Sequence, residues 1–127
     1  MTLSIQCITI DAENPRALAD FWAAVLGWTI GDDVNEIEVW IERELNDPRN
    51  IGFPDILFLK NPDERKVKNR LHLDLRPDNQ EAEVARLEAL GAKRIDIGQL
   101  SSDECTWVVM ADPEGNEFCV LKPRKVS

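Results

Sequence analysis

Histidine is the side chain whose ordinary titration falls near neutral pH, and this chain carries a single one, His72. It stands in Arg70-Leu71-His72-Leu73-Asp74-Leu75-Arg76, a strict alternation of charged and apolar residues. Side chains on a strand alternate between faces. The spacing therefore predicts a strand over 70–75, with Leu71, Leu73 and Leu75 packed under helices and Arg70, His72, Asp74 and Arg76 on the opposite face. Asp74 or a neighbour there could fix the imidazole tautomer and leave the other ring nitrogen to meet a ligand. His72 and Asp74 could also serve as an acid–base pair. The competing reading of a lone strand histidine is a hydrogen-bonded structural residue.

Cys7, Cys105 and Cys119 are the only cysteines. An odd, widely spaced set argues against a disulfide framework, and the absence of any CxxC pair removes zinc-ribbon and thioredoxin-like readings. Cys7 or Cys119 activated by His72 would make a thiol nucleophile, but nothing in the sequence supplies a third group or an oxyanion hole. Cys105, near a turn, reads as inert. Phosphate-loop, dinucleotide and serine-elbow motifs are all missing. Four tryptophans and no tyrosine leave indoles as the large amphipathic side chains. Trp22 and Phe21 read as helix core, and Trp28 opens a strand. Trp40 and Trp107 fall at comparable places in two later strands, as core or as an aromatic wall for a planar or cationic ligand.

The 127 residues fit one domain, 1–127, with 43% hydrophobic and 31% charged residues, a soluble globular balance. No apolar run approaches the roughly 18–20 residues of a membrane span, and the N-terminus lacks a signal-peptide pattern. The expectation is a cytoplasmic protein. A net charge of −9 argues against nucleic acid and anionic membrane as partners. It would suit a cationic ligand, or simply solubility. The basic run Lys60, Arg65, Lys66, Lys68 and Arg70, diluted by Asp63 and Glu64, reads as a solvated linker.

Two stretches share one order of signals. Ser4–Ile10 is β-rich and is broken by Asp11-Ala12-Glu13-Asn14-Pro15, where Asn14 reads as an N-cap and Pro15 as the first helical residue. Leu18, Phe21, Trp22, Val25 and Leu26 give a helical apolar face that stops at Gly27. Strand candidates follow at 28–30, 36–41 and 55–59. In the second stretch a strand at 70–75 is broken by Pro77-Asp78-Asn79. Val84, Leu87 and Leu90 then mark a helix ending at Gly91, with strands at 94–97, 106–110 and 117–121. Letters repeat as well: Cys7 lies 65 residues before His72, Leu26-Gly27 lies 64 before Leu90-Gly91, and Leu59-Lys60 lies 62 before Leu121-Lys122. The expectation is an α+β fold of two βαβββ halves, about 1–62 and 68–124, each burying only one face of a small sheet by itself.

The chain resembles the glyoxalase / bleomycin resistance / dioxygenase superfamily, the vicinal oxygen chelate proteins, and most closely its compact glyoxalase-like branch. The resemblance covers nearly the whole chain. It rests on Asn14-Pro15 through Phe21-Trp22 and Leu26-Gly27-Trp28, on Asn69-Arg70-Leu71-His72-Leu73-Asp74-Leu75, and on Asp112-Pro113-Glu114-Gly115-Asn116-Glu117-Phe118. It implies a curved, half-open barrel whose cup is lined by the first and last strands of each half. Enzymes of the superfamily commonly hold a divalent metal there on His, Glu or Gln. The positions that resemble that set are Cys7, Leu57, His72 and Cys119, of which His72 alone keeps the usual ligand type. Cys7 and Thr9 are expected to face the cup from the first strand, and Glu117, Cys119 and Leu121 from the last.

Binding candidates are therefore Cys7, Thr9, Trp40, Leu57, Arg70, His72, Asp74, Trp107, Glu117 and Cys119, and acid–base candidates are His72 and Asp74. The expectation is a protein that holds a small organic molecule without the usual metal, as drug-resistance members of the superfamily do. The alternative is a lyase, isomerase or dioxygenase with His72 in its active site. No cofactor is expected, although Cys7, His72 and Cys119 would suit zinc if they met. The resemblance also implies a homodimer.

Overall fold

The computed structural model describes residues 2–61, 63, 67, 69–95 and 107–123. The chain divides into two compact units, 1–64 and 65–127, and each is a βαβββ arrangement: one helix and a four-stranded sheet. The α+β expectation holds. No helix among the described residues is long and apolar enough to cross a membrane.

In the first unit, β1 (Cys7–Ala12) leads into α1 (Pro15–Leu26), then β2 (Thr29–Ile30), β3 (Glu38–Glu42) and β4 (Asp55–Lys60), in the sheet order β1-β4-β3-β2. The helix ends are set by local chemistry. Asn14 Oδ1 accepts the Ala17 N–H at 3.2 Å, satisfying one of the donors a helix start leaves orphaned. Gly27, at φ 71°, takes the left-handed position that stops the helix. Leu18, Phe21 and Trp22 are buried with Val39, Ile41, Ile56 and Phe58, where α1 packs on β3 and β4. Phe21 and Trp22 meet edge to face at 5.3 Å, a favoured aromatic geometry.

The first strand begins and ends later than the 4–10 expected. Its parallel partner β4 supplies six rungs, from Cys7 against Asp55 to Ala12 against Lys60, and this ladder carries the strand through Asp11 and Ala12 despite their turn-forming composition.

In the second unit, β5 (Asp74–Leu75) precedes α2 (Gln80–Leu90), β6 (Lys93–Arg94), β7 (Val108–Ala111) and β8 (Glu117–Val120), in the order β5-β8-β7-β6. Asn79 caps α2 through the Ala82 N–H at 3.0 Å, and Gly91 at φ 116° ends it. Val84, Leu87, Met110, Phe118 and Val120 are buried. Leu90, expected on the apolar face, is partly exposed. Cys105 and most of the linker-like basic run lie outside the described residues, as do Thr106 and the end of the strand expected at 94–97.

The strand expected over 70–75 is the main departure, for β5 keeps only Asp74 and Leu75. The parallel register sets Asp74 against Cys119, so Arg70 and Leu71 would fall opposite Gly115 and Asn116, in the turn before β8. There is no ladder there to join. Leu71, expected under the helices, is accordingly 75% exposed.

That turn has its own anchor. Asp112 is buried, and its Oδ1 accepts the Glu114 and Asn116 N–H groups, each at 2.9 Å. Its Oδ2 accepts Asn116 Nδ2 at 2.9 Å. Asn116 Oδ1 in turn accepts Asn69 Nδ2 at 2.9 Å, tying the incoming segment to the turn. A buried carboxylate is tolerated because its lone pairs are met by donors.

Two stability predictions follow from this packing. Phe58→Ala, in a fully buried position, should cost about 3–5 kcal/mol in urea unfolding. Asp112→Ala strands two backbone N–H groups and should cost roughly 2–3 kcal/mol; a loss near zero would show that the turn closes without this carboxylate.

Candidate functional site

The second unit carries a pocket of about 390 Å³. Its wall is built from β8 and the residue after it: Glu117, Cys119 and Leu121 alternate with the buried Phe118 and Val120, and Phe118 also borders the pocket. Val109, paired with Cys119 across β7 and β8, continues the wall. Trp107, just before β7 and 40% exposed, closes one side. His72 and Asp74 complete the lining.

Sheet pairing holds these groups in place. The Cys119 N–H donates to the Leu73 carbonyl at 2.9 Å, and the Leu121 N–H to the Leu75 carbonyl at 2.8 Å. This fixes the segment from 73 to 75 against β8, and with it the side chains of Asp74 and Cys119. His72, two residues before Asp74, projects to the same face. Its Nε2 lies 3.4 Å from Asp74 Oδ1, with both side chains about half exposed. That contact becomes an ion pair only when the imidazole is protonated, and at such exposure it adds little to stability.

One donor atom each from His72, Asp74 and Cys119 lies within 4.8 Å of the others, which makes an imidazole nitrogen, a carboxylate oxygen and a sulfur available together. The pocket lining contains two carboxylates, Asp74 and Glu117, and no lysine or arginine among its described residues.

Five sequence-stated candidates, His72, Asp74, Trp107, Glu117 and Cys119, therefore meet in this pocket. Arg70 is exposed and is not part of its lining. Four others share one sheet face in the first unit: Thr9 pairs with Leu57, Leu57 pairs with Trp40, and Cys7 Sγ lies 3.7 Å from Thr9 Oγ1. Val39 and Ile41 point the other way, into the helix. The expected equivalence of Trp40 and Trp107 fails. Trp40 opposes Leu57, whereas the residue opposing Cys119 is Val109, and Trp107 sits two residues outside that rung.

The set marked for a divalent metal does not fit a hard ion. Leu57 offers no donor atom and Cys7 and Cys119 offer thiols, whereas magnesium or manganese takes oxygen and nitrogen ligands. Residues that the sequence reading passed over are Val109, Asn69 and Asn116. Asn116 belongs to the Asp-Pro-Glu-Gly-Asn turn, in which the Asp112 carboxylate accepts from the backbone and from Asn116 Nδ2; Asn69, 47 residues earlier, joins it only through Asn116 Oδ1.

No curated protein matches this chain. Among solved structures, it resembles a glyoxalase/bleomycin resistance protein/dioxygenase family enzyme from Burkholderia phytofirmans PsJN, at 18% identity and a TM-score of 0.72, over 96% of this chain and all of that one. TnmS3, an antibiotic binding protein from Streptomyces sp. CB03234, aligns at 18% identity and a TM-score of 0.64, over 98% of this chain and 99% of that one. Lactoylglutathione lyase from Agrobacterium tumefaciens aligns at 16% identity and a TM-score of 0.59, over 94% of this chain and 92% of that one. These likenesses show a shared fold across differing activities. The glyoxalase-like domain model matches residues 7–121, and with both βαβββ units in place the chain belongs to the glyoxalase-like domain family.

Proposed function

We propose that this protein binds a small, positively charged organic molecule with a planar portion in the pocket of its second unit, through its own side chains rather than through the family's usual divalent metal. One observation carries the reading: Asp74, Glu117 and Trp107 line one pocket with no lysine or arginine among its described lining residues. Carboxylates attract a cation, and an indole face binds both planar and cationic groups, by about 0.5–2 kcal/mol for a cation over the ring. The net charge of −9 favours approach of such a ligand over long range. The antibiotic binding protein among the structural neighbours shows that this fold supports binding of a drug. A drug-sequestering or resistance-type role is the form this takes here.

The second reading is an enzyme of the same superfamily, a lyase, isomerase or dioxygenase, favoured by the contact of His72 with Asp74. There His72 would move a proton at Nε2 or Nδ1, and Asp74 would hold the ring. Both readings belong with a cytoplasmic homodimer. Leu45, Ile51 and Phe53, each more than half exposed in the β3–β4 connection, support a covering partner, since apolar side chains at such density mark contact surfaces.

Titrating chelator-treated protein with planar cationic compounds, read by tryptophan fluorescence, should give saturable quenching. Trp107→Ala should abolish most of that signal, and Asp74→Asn should weaken affinity by roughly fivefold to tenfold, about 1–1.4 kcal/mol. If neutral and cationic compounds bind alike, or none binds, the proposal fails. Turnover of a bound compound that is lost in His72→Ala would establish the enzyme reading instead. Sedimentation equilibrium should give twice the 14.4 kDa chain mass; a single-chain mass would refute the dimer.

A further inference from the structure

The thiol in the second unit's pocket stands beside a base. Cys119 is partly buried and outside any disulfide, and it lines the same pocket as His72 and Asp74. One ring nitrogen of His72, one oxygen of Asp74 and Cys119 Sγ all lie within 4.8 Å of one another. A thiol, a base and a third group that orients the base are the parts of an activated nucleophile. We propose that Cys119 is a covalent attachment site for an α,β-unsaturated carbonyl compound, with His72 taking the thiol proton and Asp74 positioning the ring. This deepens the binding reading, since it rests on a small organic molecule entering the pocket, but it does not require that molecule to be charged.

The sheet sets both the nucleophile and the class of electrophile. Asp74 and Cys119 are partners on one parallel rung. His72 lies just before β5 with its side chain about half exposed, so the ring can swing towards sulfur without repacking the core. Such contacts are often long until a ligand is bound. The backbone donors beside the sulfur are already used: the Cys119 N–H donates to the Leu73 carbonyl and the Leu121 N–H to the Leu75 carbonyl. Acyl transfer would need such donors for its oxyanion. Conjugate addition attacks an alkene carbon and builds no tetrahedral oxyanion. Cys7 is placed differently. Its sulfur lies 3.7 Å from the Thr9 hydroxyl, which is no base, and the chain's one histidine belongs to the other unit.

The step balances within the ligand and two side chains. Sulfur bonds to the β-carbon as the thiol proton passes to His72, and the alkene π pair moves onto the α-carbon and carbonyl. His72 then returns the proton to the α-carbon, leaving a neutral imidazole and a saturated thioether. No oxidant or reductant is consumed. The product stays on the protein, so one chain captures one molecule.

The test treats the full-length, reduced chain with methyl vinyl ketone, a small uncharged probe of this class, and locates the adduct by peptide mass spectrometry. Cys119 should take one equivalent, faster than N-acetylcysteine under the same conditions, and should still do so in Cys7→Ser. His72→Ala should slow the reaction at least about tenfold, a positioned general base commonly contributing roughly 10²–10⁴-fold. Asp74→Asn should slow it less. The reaction should run slower in heavy water, and His72→Ala should lose that sensitivity, which a merely structural histidine would not confer. The heavy-water measurement on the unaltered chain, with Asp74→Asn, keeps the test valid if His72→Ala does not fold. An adduct on Cys7 or Cys105 in place of Cys119, a rate no faster than N-acetylcysteine, or a rate unchanged in His72→Ala overturns the proposal. Fluorescence quenching by planar cations without any Cys119 adduct would overturn this inference and leave the binding reading standing.

Discussion

In each half of this chain the first strand runs parallel to the last and pairs with it directly. That pairing decides where every candidate side chain points. Residues on one rung of a ladder share a face, and a shift of one residue would turn the whole set over. In the first unit the pairing places Thr9 beside Leu57; in the second it places Asp74 beside Cys119. The same rung reaches Trp40 in one unit and Val109 in the other, on the antiparallel neighbour of the last strand. The pocket of the second unit is this rung and its flanks, with His72 two residues before Asp74 and Glu117 two before Cys119.

The two units show how one frame can hold different chemistry. The first has a six-rung parallel ladder and a face on which Cys7, Thr9, Leu57 and Trp40 meet, with Asp11, Glu38 and Asp55 at its ends. The second has two rungs: Arg70 and Leu71 would fall opposite the Asp112 turn, and His72 and Leu73, opposite Glu117 and Phe118 in the same register, lie outside β5. The shorter ladder leaves His72 just outside the strand, held at one end by the Leu73 carbonyl and, further back, by Asn69 on Asn116. A histidine placed there keeps access to solvent and to the pocket, which a residue in the middle of a long ladder flanked by strands would lose.

What could be read from the sequence was governed by how local the determining interaction is. Helix ends are legible where their causes are adjacent residues, as with Asn14 on Ala17 and the glycines 27 and 91 with their left-handed backbone; Asn79, which reads as part of a strand-breaking turn, caps α2 as well. The face of β8 was legible because Phe118 and Val120 alternate with polar or small neighbours. Strand ends were not, since they depend on where a partner 45 or 48 residues away starts and stops; the exposed Leu71 and the extension of β1 through Ala12 both come from that. The match of Trp40 with Trp107 failed for the same reason, since composition shows the residue but pairing sets the rung. The cluster of His72, Asp74 and Cys119 was half legible: its members were each named as facing one way, but the rung that sets Asp74 against Cys119 was not.

The electrostatics of the pocket narrow its possible occupants. Asp74 and Glu117 bring two carboxylates to a lining whose only cationic candidate among the described residues is His72. On the proposed reading this balance favours a ligand that brings positive charge, such as an organic cation over Trp107.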